Sequence, residues 1–209
     1  GAVGNEDNTL LVNMGTGGQI SVLSDQYFAE NGIEARPFLN GKYLLAGASL
    51  CGGKAYALLE NFFRKFIKEA TGQNEPLYKI LEKLAKAGKE FNAGQSEKQR
   101  LKIETTFDGT RVNPELSGSI TNLLSDNFTP EAFTYAVLEG MSRELYEMYQ
   151  TIHKGTTIKV THMIGSGNGL RKNPVLCQII EEMFGAELTL AECEEEAATG
   201  AAISSTYVK

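Results

Sequence analysis

The chain has 209 residues, 42% of them hydrophobic and 22% charged, which is long enough to bury a sizeable core as one large domain or two small ones. Its 20 Lys and Arg against 26 Asp and Glu give a formal charge of −6, which argues against a general nucleic-acid-binding or anionic-membrane surface but leaves open a local backbone site for an anion. No apolar run approaches membrane-spanning length, and Cys51, Cys177 and Cys193 are few, distant and without a C-x-x-C pair, which speaks against disulfides and zinc and for a reducing cytoplasm. The chain opens at Gly1 rather than Met, as processing, a cut tag or an excised fragment would leave it.

In chain order, Thr9 to Met14 (TLLVNM) and Gln19 to Leu23 (QISVL) read as strands. They are joined by the turn Gly15-Thr16-Gly17-Gly18 into a hairpin. A short strand near Ile33 to Arg36 and a better one at Tyr43 to Leu50 (YLLAGASL) precede the pair Gly52-Gly53. From Lys54 the apolar positions Ala55, Leu58, Leu59, Phe62, Phe63, Phe66 and Ala70 predict a helix ended by Gly72. Pro76 opens a second helix with Leu77, Ile80, Leu81 and Leu84 on its face, and the polar, periodless stretch 88–100 is expected to be an exposed loop.

Leu101 to Phe107 alternates as a strand, Asp108-Gly109-Thr110-Arg111 turns, and Ser119 to Leu123 is expected as another short strand. Thr129 as cap and Pro130 in the first turn open a long helix with the stripe Phe133, Val137, Met141, Leu145, Met148 and Ile152, stopped at Gly155. In the next strand Ile158, Val160, His162 and Ile164 alternate with Lys159, Thr161 and Met163, and His162 is read as a packed residue on the core side. After Gly165-Ser166-Gly167-Asn168-Gly169, Asn173 can cap a helix that Pro174 begins and Gly185 ends. A strand at Glu187 to Leu190 and a small-residue helix from about Glu194 complete the order. A hairpin meander followed by alternating helices and strands implies an α/β fold of the ribonuclease-H-like, actin-like group, a mixed sheet with helices on both faces.

Three glycine-rich turns, at Gly15–Gly18, Gly52-Gly53 and Gly165–Gly169, follow or join strands, and strand ends in an open sheet tend to meet in one crevice. Each alone is most often a turn; together they favour a nucleotide, with Thr16 offering a hydroxyl and a helix N-terminus offering N–H groups to phosphate. Neither the Walker pattern nor G-x-G-x-x-G is present. His153 lies at a helix C-terminus, and Asp25, Asp108 and Asp126 stand in turns, so no catalytic base is apparent.

The segments NMGTGGQIS, GASLCGGKAYALLENF, FDGTR followed by LSGSITNLL, IGSGNGLRKNPVLCQIIEEMFG and EEEAATGAAISS resemble, in order, the C-terminal half of the FGGY family of carbohydrate kinases, most closely its sedoheptulokinase branch. The resemblance spans almost the whole chain and departs from the family at Thr110, where a Gly-Glu-Arg element has Glu. It implies transfer of the ATP γ-phosphoryl to a sugar hydroxyl, with Mg2+ and two actin-like domains closing on ATP and sugar. By it, residues 1–209 are the C-terminal actin-like domain, and the N-terminal domain with most of the sugar contacts is absent. Gly15, Thr16 and Gly17 form the phosphate hairpin, Gly52 and Gly53 border the nucleotide, Gly167 and Asn168 lie near ribose or phosphates, and Asn173 lies beside the adenine. No residue here is assigned as catalytic or as a metal ligand, since the base is an aspartate in a Gly-Asp-x-Gln segment expected upstream of Gly1. Partners are ATP or ADP and a sugar, with a homodimer conceivable and no nucleic acid or membrane. The alternative from another class is a free-standing actin-like regulatory module that holds nucleotide without kinase chemistry.

Overall fold

The computed structural model describes residues 8–191. Strands β1 (Thr9–Met14), β2 (Gly18–Ser24), β3 (Glu34–Pro37) and β4 (Tyr43–Ser49) form an antiparallel unit. A separate two-stranded sheet pairs β5 (Lys102–Glu104) with β6 (Ser119–Thr121). Strands β7 (His162–Ser166) and β8 (Glu187–Leu190) then add in parallel beside β1, giving a six-stranded mixed sheet in the order β3-β4-β2-β1-β7-β8.

Register decides which residues enter the core. Paired residues share a face, and the pairs Leu10↔Val22, Val12↔Ile20, Val22↔Leu45 and Leu10↔Met163 place apolar side chains from four strands on one surface, all of them buried. Each is worth roughly 1.5–3 kcal/mol of transfer free energy. The same register corrects the expected orientation of β7. Met163 faces the core, while His162, paired with Thr9, lies half-buried on the other surface. Ile158 and Val160, expected in this strand, precede it and pack partly against the core.

The long helix is α3 (Pro130–Thr156), reached after α1 (Gly52–Thr71) and α2 (Tyr78–Ala93) and followed by α4 (Asn168–Arg171) and α5 (Pro174–Phe184). Thr129 Oγ1 accepts the Ala132 N–H at 3.2 Å, closing the N-terminus of α3 as expected. Val137, Met141, Leu145 and Ile152 are buried along its stripe. Gly155 does not stop it; the helix ends one residue later and Thr157 takes the left-handed cap at φ 63°. Gly155 instead lies under the Phe28 ring, where a Cβ would come within 2.1 Å.

Two further expectations change. Helix α2 runs on through Gly88 to Ala93, and Leu81, Ala85, Gly88 and Asn92 form its buried seam. Its other face is polar enough to mask the period in sequence. Gly88 is the point where α2 crosses α3: a Cβ there would be 2.3 Å from the Glu131 carbonyl oxygen. In α1, Ala55 is buried but Leu58, Phe62 and Phe66 are exposed. The buried residue on the other side is Glu60, whose Oε1 accepts the Leu77 N–H at 3.0 Å ahead of α2 and pairs with Arg64 at 3.2 Å. The strand expected over 101–107 is confined to β5, because the chain turns at Thr105, whose carbonyl accepts the Phe107 N–H at 2.8 Å. The helix expected from Glu194 lies outside the described residues.

These contacts give a paired prediction. Gly88→Ala forces α2 and α3 apart and is expected to cost about 1–3 kcal/mol. Gly94→Ala, in open space with an ordinary helical backbone, is expected to be neutral or to stabilise by about 0.4–1 kcal/mol. In urea unfolding, Gly88→Ala should fall below the parent midpoint and Gly94→Ala should stay at it or rise above it.

Candidate functional site

The site is built around the end of β1. Beyond Met14 the hairpin turn brings its carbonyls to the N-terminus of α1. Gly53 N donates to the Gly15 oxygen at 3.0 Å and Lys54 N to the Thr16 oxygen at 2.9 Å. Two of the helix's unpaired N–H groups are therefore spent on fixing the hairpin rather than on a ligand. Gly17 and Gly52 make the approach possible: a Cβ on Gly52 would stand 2.3 Å from the Gly18 nitrogen, and one on Gly17 2.7 Å from the Ser49 oxygen.

From the other side, β7 delivers Ser166, whose Oγ accepts from Asn13 Nδ2 at 2.8 Å. Gly167 follows at φ 87°, so close to the end of β1 that a Cβ would meet the Met14 oxygen at 2.6 Å. The chain then forms α4, and Asn173 caps α5 by accepting the Leu176 N–H on Oδ1 at 3.1 Å.

Between these segments lies a cleft of about 790 Å³. Of the residues expected at the site, Gly15, Thr16, Gly53, Gly167, Asn168 and Asn173 line it together. Gly17 and Gly52 do not; they pack behind it. Thr110 and Arg111 are also elsewhere. Thr110 closes a turn with Asn113, and Arg111 pairs with Glu34. His153 Nδ1 lies 2.6 Å from the Ile158 oxygen at the end of α3. Neither histidine, nor Asp25, Asp108 or Asp126, lines the cleft.

Several lining residues were not anticipated. Lys54 enters from the first turn of α1 and pairs with Asp108 at 2.7 Å. That bond holds the Asp108 carboxyl below its usual range and the Lys54 ammonium above its own. Cys51 is buried beside them; burial first, then Asp108, pushes its thiol up to about 11, so it stays protonated and unreactive. Tyr56 of α1 and Tyr78 of α2 form an aromatic wall, ring centroids 6.1 Å apart and tilted by 35°. Burial raises the Tyr56 phenol, keeping it neutral. Glu82 and Lys172 also line the cleft, with Glu82 paired to Lys86. A helix-start position was the sequence signal available for Lys54, Tyr56 and Tyr78; only the packing of α2 beside α1 brings the tyrosines together.

The cleft thus combines a bent hairpin with an exposed hydroxyl, two ammonium groups and a flat aromatic wall. It holds no activated nucleophile. Among the described residues no cluster of three His, Cys, Asp or Glu is placed to hold a metal ion.

The model of the FGGY family of carbohydrate kinases, C-terminal domain, matches residues 10–207. Human sedoheptulokinase is 26% identical over 167 residues, covering 80% of this chain and 33% of that protein, and the mouse protein is 25% identical over 169 residues with the same coverage. The chain therefore spans about a third of the length of these relatives. Among solved structures, xylulose kinase from Bifidobacterium adolescentis superposes with TM-score 0.74 at 19% identity over 96% of this chain and 37% of that one. Plasmodium falciparum glycerol kinase with ADP gives 0.69 at 16%, over 95% and 38%. The shared fold is the actin-like ATPase domain, with its mixed sheet and helices. By the extent and the order of this match, the chain belongs to the FGGY family of carbohydrate kinases, as a C-terminal domain of that family.

Proposed function

We propose that this chain is the nucleotide-binding domain of an ATP-dependent carbohydrate kinase that transfers the γ-phosphoryl group of ATP to a sugar hydroxyl, with sedoheptulose the first acceptor to test. The carrying observation is convergence: the Gly15-Thr16 hairpin, Gly53 and the Gly167-Asn168 turn meet in one cleft whose volume suits a nucleotide. Support for the acceptor is the similarity to sedoheptulokinase, and the solved glycerol kinase of the same fold was captured with ADP.

In this reading Gly15 and Thr16 meet the β- and γ-phosphates and Asn168 lies near the ribose. The base stacks on the Tyr56–Tyr78 wall with the Asn173 amide at its edge. Lys54 leaves Asp108 for the phosphates. Both partners are about two-fifths exposed, where an ion pair is worth about 0–1 kcal/mol, so a polyphosphate displaces the carboxylate readily. Among the described residues no cluster of three His, Cys, Asp or Glu is placed to hold Mg2+, so the ion would be held mainly by the nucleotide's phosphates, whose charge it would offset.

Phosphoryl transfer also needs an acceptor held in line and a base to orient it. Among the described residues the one carboxylate lining the cleft, Glu82, is paired to Lys86, and Asp108 is tied to Lys54. In this reading the base and the sugar contacts come from another part of a longer kinase, and residues 1–209 alone bind nucleotide without phosphorylating sugar. The free thiols Cys51 and Cys177 suit a reducing compartment such as the cytoplasm.

Titration calorimetry is the direct test. ADP and ATP should bind the isolated chain, and Thr16→Ala and Lys54→Met should each weaken ATP by roughly tenfold while leaving adenosine nearly unchanged. No binding at millimolar concentrations would remove the assignment. Asn173→Asp keeps the oxygen that caps α5 and loses the amide donor, so it should weaken adenosine with little change in melting temperature.

A coupled kinase assay checks the chemistry. The chain by itself should show no ketose phosphorylation above background, since losing the base alone costs about 10²–10⁴-fold. Robust turnover by purified residues 1–209 would contradict the assignment of the base to another part of a longer kinase.

A further inference from the structure

The two tyrosines that wall the cleft are held in different ways. Tyr56 stands in the second turn of α1, whose first turn is bonded to the hairpin, and its phenol lies within hydrogen-bonding reach of the Asn173 side chain. Tyr78 is the first residue of α2 and 47% exposed, at a helix start whose N-cap, Leu77, has no side-chain oxygen to offer. A helix start of that kind depends on some other group to take its unpaired N–H donors.

That group comes from α1. Tyr56, Glu60 and Arg64 recur every fourth residue, so one face of the helix runs from the cleft to the connection between α1 and α2. Glu60 is 4% exposed, and its Oε1 accepts the Leu77 N–H at 3.0 Å, immediately before Tyr78 in the chain. Arg64 donates from Nε to both Glu60 carboxylate oxygens, at 3.2 and 3.3 Å, and from Nη1 to Asn74 Oδ1 at 3.0 Å, so the connection is fastened at two points. Burying such a pair adds little net stability, because lost hydration offsets the attraction. What a carboxylate with two directional partners supplies is position.

We infer that Glu60 is a positioning residue for nucleoside binding: capping α2 from another helix, it holds Tyr78 beside Tyr56 so that the two rings form one face for a base. The inference rests on the nucleotide reading above. Glu60 does not line the cleft, so it acts through Tyr78 rather than on the ligand. The hairpin has its own bonds to the start of α1, so the phosphate half of the cleft does not depend on Glu60. Reach, not charge, is the quantity that matters. Aspartate keeps the charge but draws the carboxylate back by one methylene, about 1.5 Å, whereas glutamine keeps the reach and the accepting oxygen.

Calorimetry with adenosine and, separately, inorganic tripolyphosphate tests this on residues 1–209. Glu60→Asp should weaken adenosine about five- to tenfold, the order of one aromatic contact, and leave tripolyphosphate within about twofold. Glu60→Gln should stay within about twofold of the parent for both probes. In a Tyr78→Ala background the ring is already gone, and Glu60→Asp should cost adenosine nothing further. The unsubstituted chain gives a check that needs no variant. Adenosine should slow amide exchange at Leu77, Ile80 and Leu81, whose N–H groups bond to Glu60 and to the Leu77 carbonyl, and tripolyphosphate should not. Adenosine binding at parent strength in Glu60→Asp, a further loss in the Tyr78→Ala background, or no slowing at these amides overturns the positioning role and leaves the nucleotide reading standing. A parent chain that binds neither probe removes the nucleotide reading, and the positioning role with it.

Discussion

The cleft exists because three stretches of backbone crowd the end of β1. The first turn of α1 lies against the hairpin turn and the turn after β7 against Met14, and a Cβ at Gly52, Gly53 or Gly167 would fall 2.3–2.6 Å from a backbone atom. The N–H groups of Gly53 and Lys54 then lock the hairpin to the helix. Packing side chains could not bring main chain this near. The geometry of the site is therefore carried by absences of side chain, and the side chains that remain, Thr16, Lys54 and Asn168, project into the space so defined.

That constraint propagates into the core. β1 is pinned between β2 and β7, and its inward residues Leu10, Val12 and Met14 are fully buried. Helix α3 closes over this surface, with Leu145 so near Gly18 that a Cβ there would stand 3.1 Å from it. Helix α2 in turn is held on α3 through Gly88, and its start is fixed from α1 by the Glu60 carboxylate. The placement of Tyr78 at the cleft thus depends on a buried acid on another helix and on a glycine ten residues further along α2. Site and scaffold are one network, in which α1 contributes its N-terminus to the cleft, its middle to the start of α2 and its exposed stripe to an apolar groove.

Helix α1 serves two surfaces at different positions along its length. Positions near its N-terminus serve the nucleotide reading, with Lys54 and Tyr56 in the cleft. The aromatic residues one to three turns later face away from it. A helix of 20 residues is long enough to do both, because residues four apart repeat the same face while the rise of about 1.5 Å per residue carries them away from the site.

Local patterns in the sequence determined most of the strands, the capped starts of α3 and α5, and the glycine turns that bring six of the eight expected residues to one cleft, because glycine turns, Asn or Thr caps and period-two alternation are set by neighbours in the chain. They also carried the family resemblance, since those motifs are short and contiguous. Tertiary structure decided the rest. Which face of β7 is inward follows from its pairing with β1, so Met163 rather than His162 reaches the core. Gly88 and Gly155 look like helix stops in sequence, and only a crossing helix and the Phe28 ring show that they are contact points. The stripe of α1 looks like a core face, yet burial depends on whether another element lies opposite, and opposite Phe62 and Phe66 the described chain supplies none. Lys54, Tyr56 and Tyr78 were invisible as site residues for the same reason: their neighbours in space are distant in sequence, and only packing brings them to one cleft.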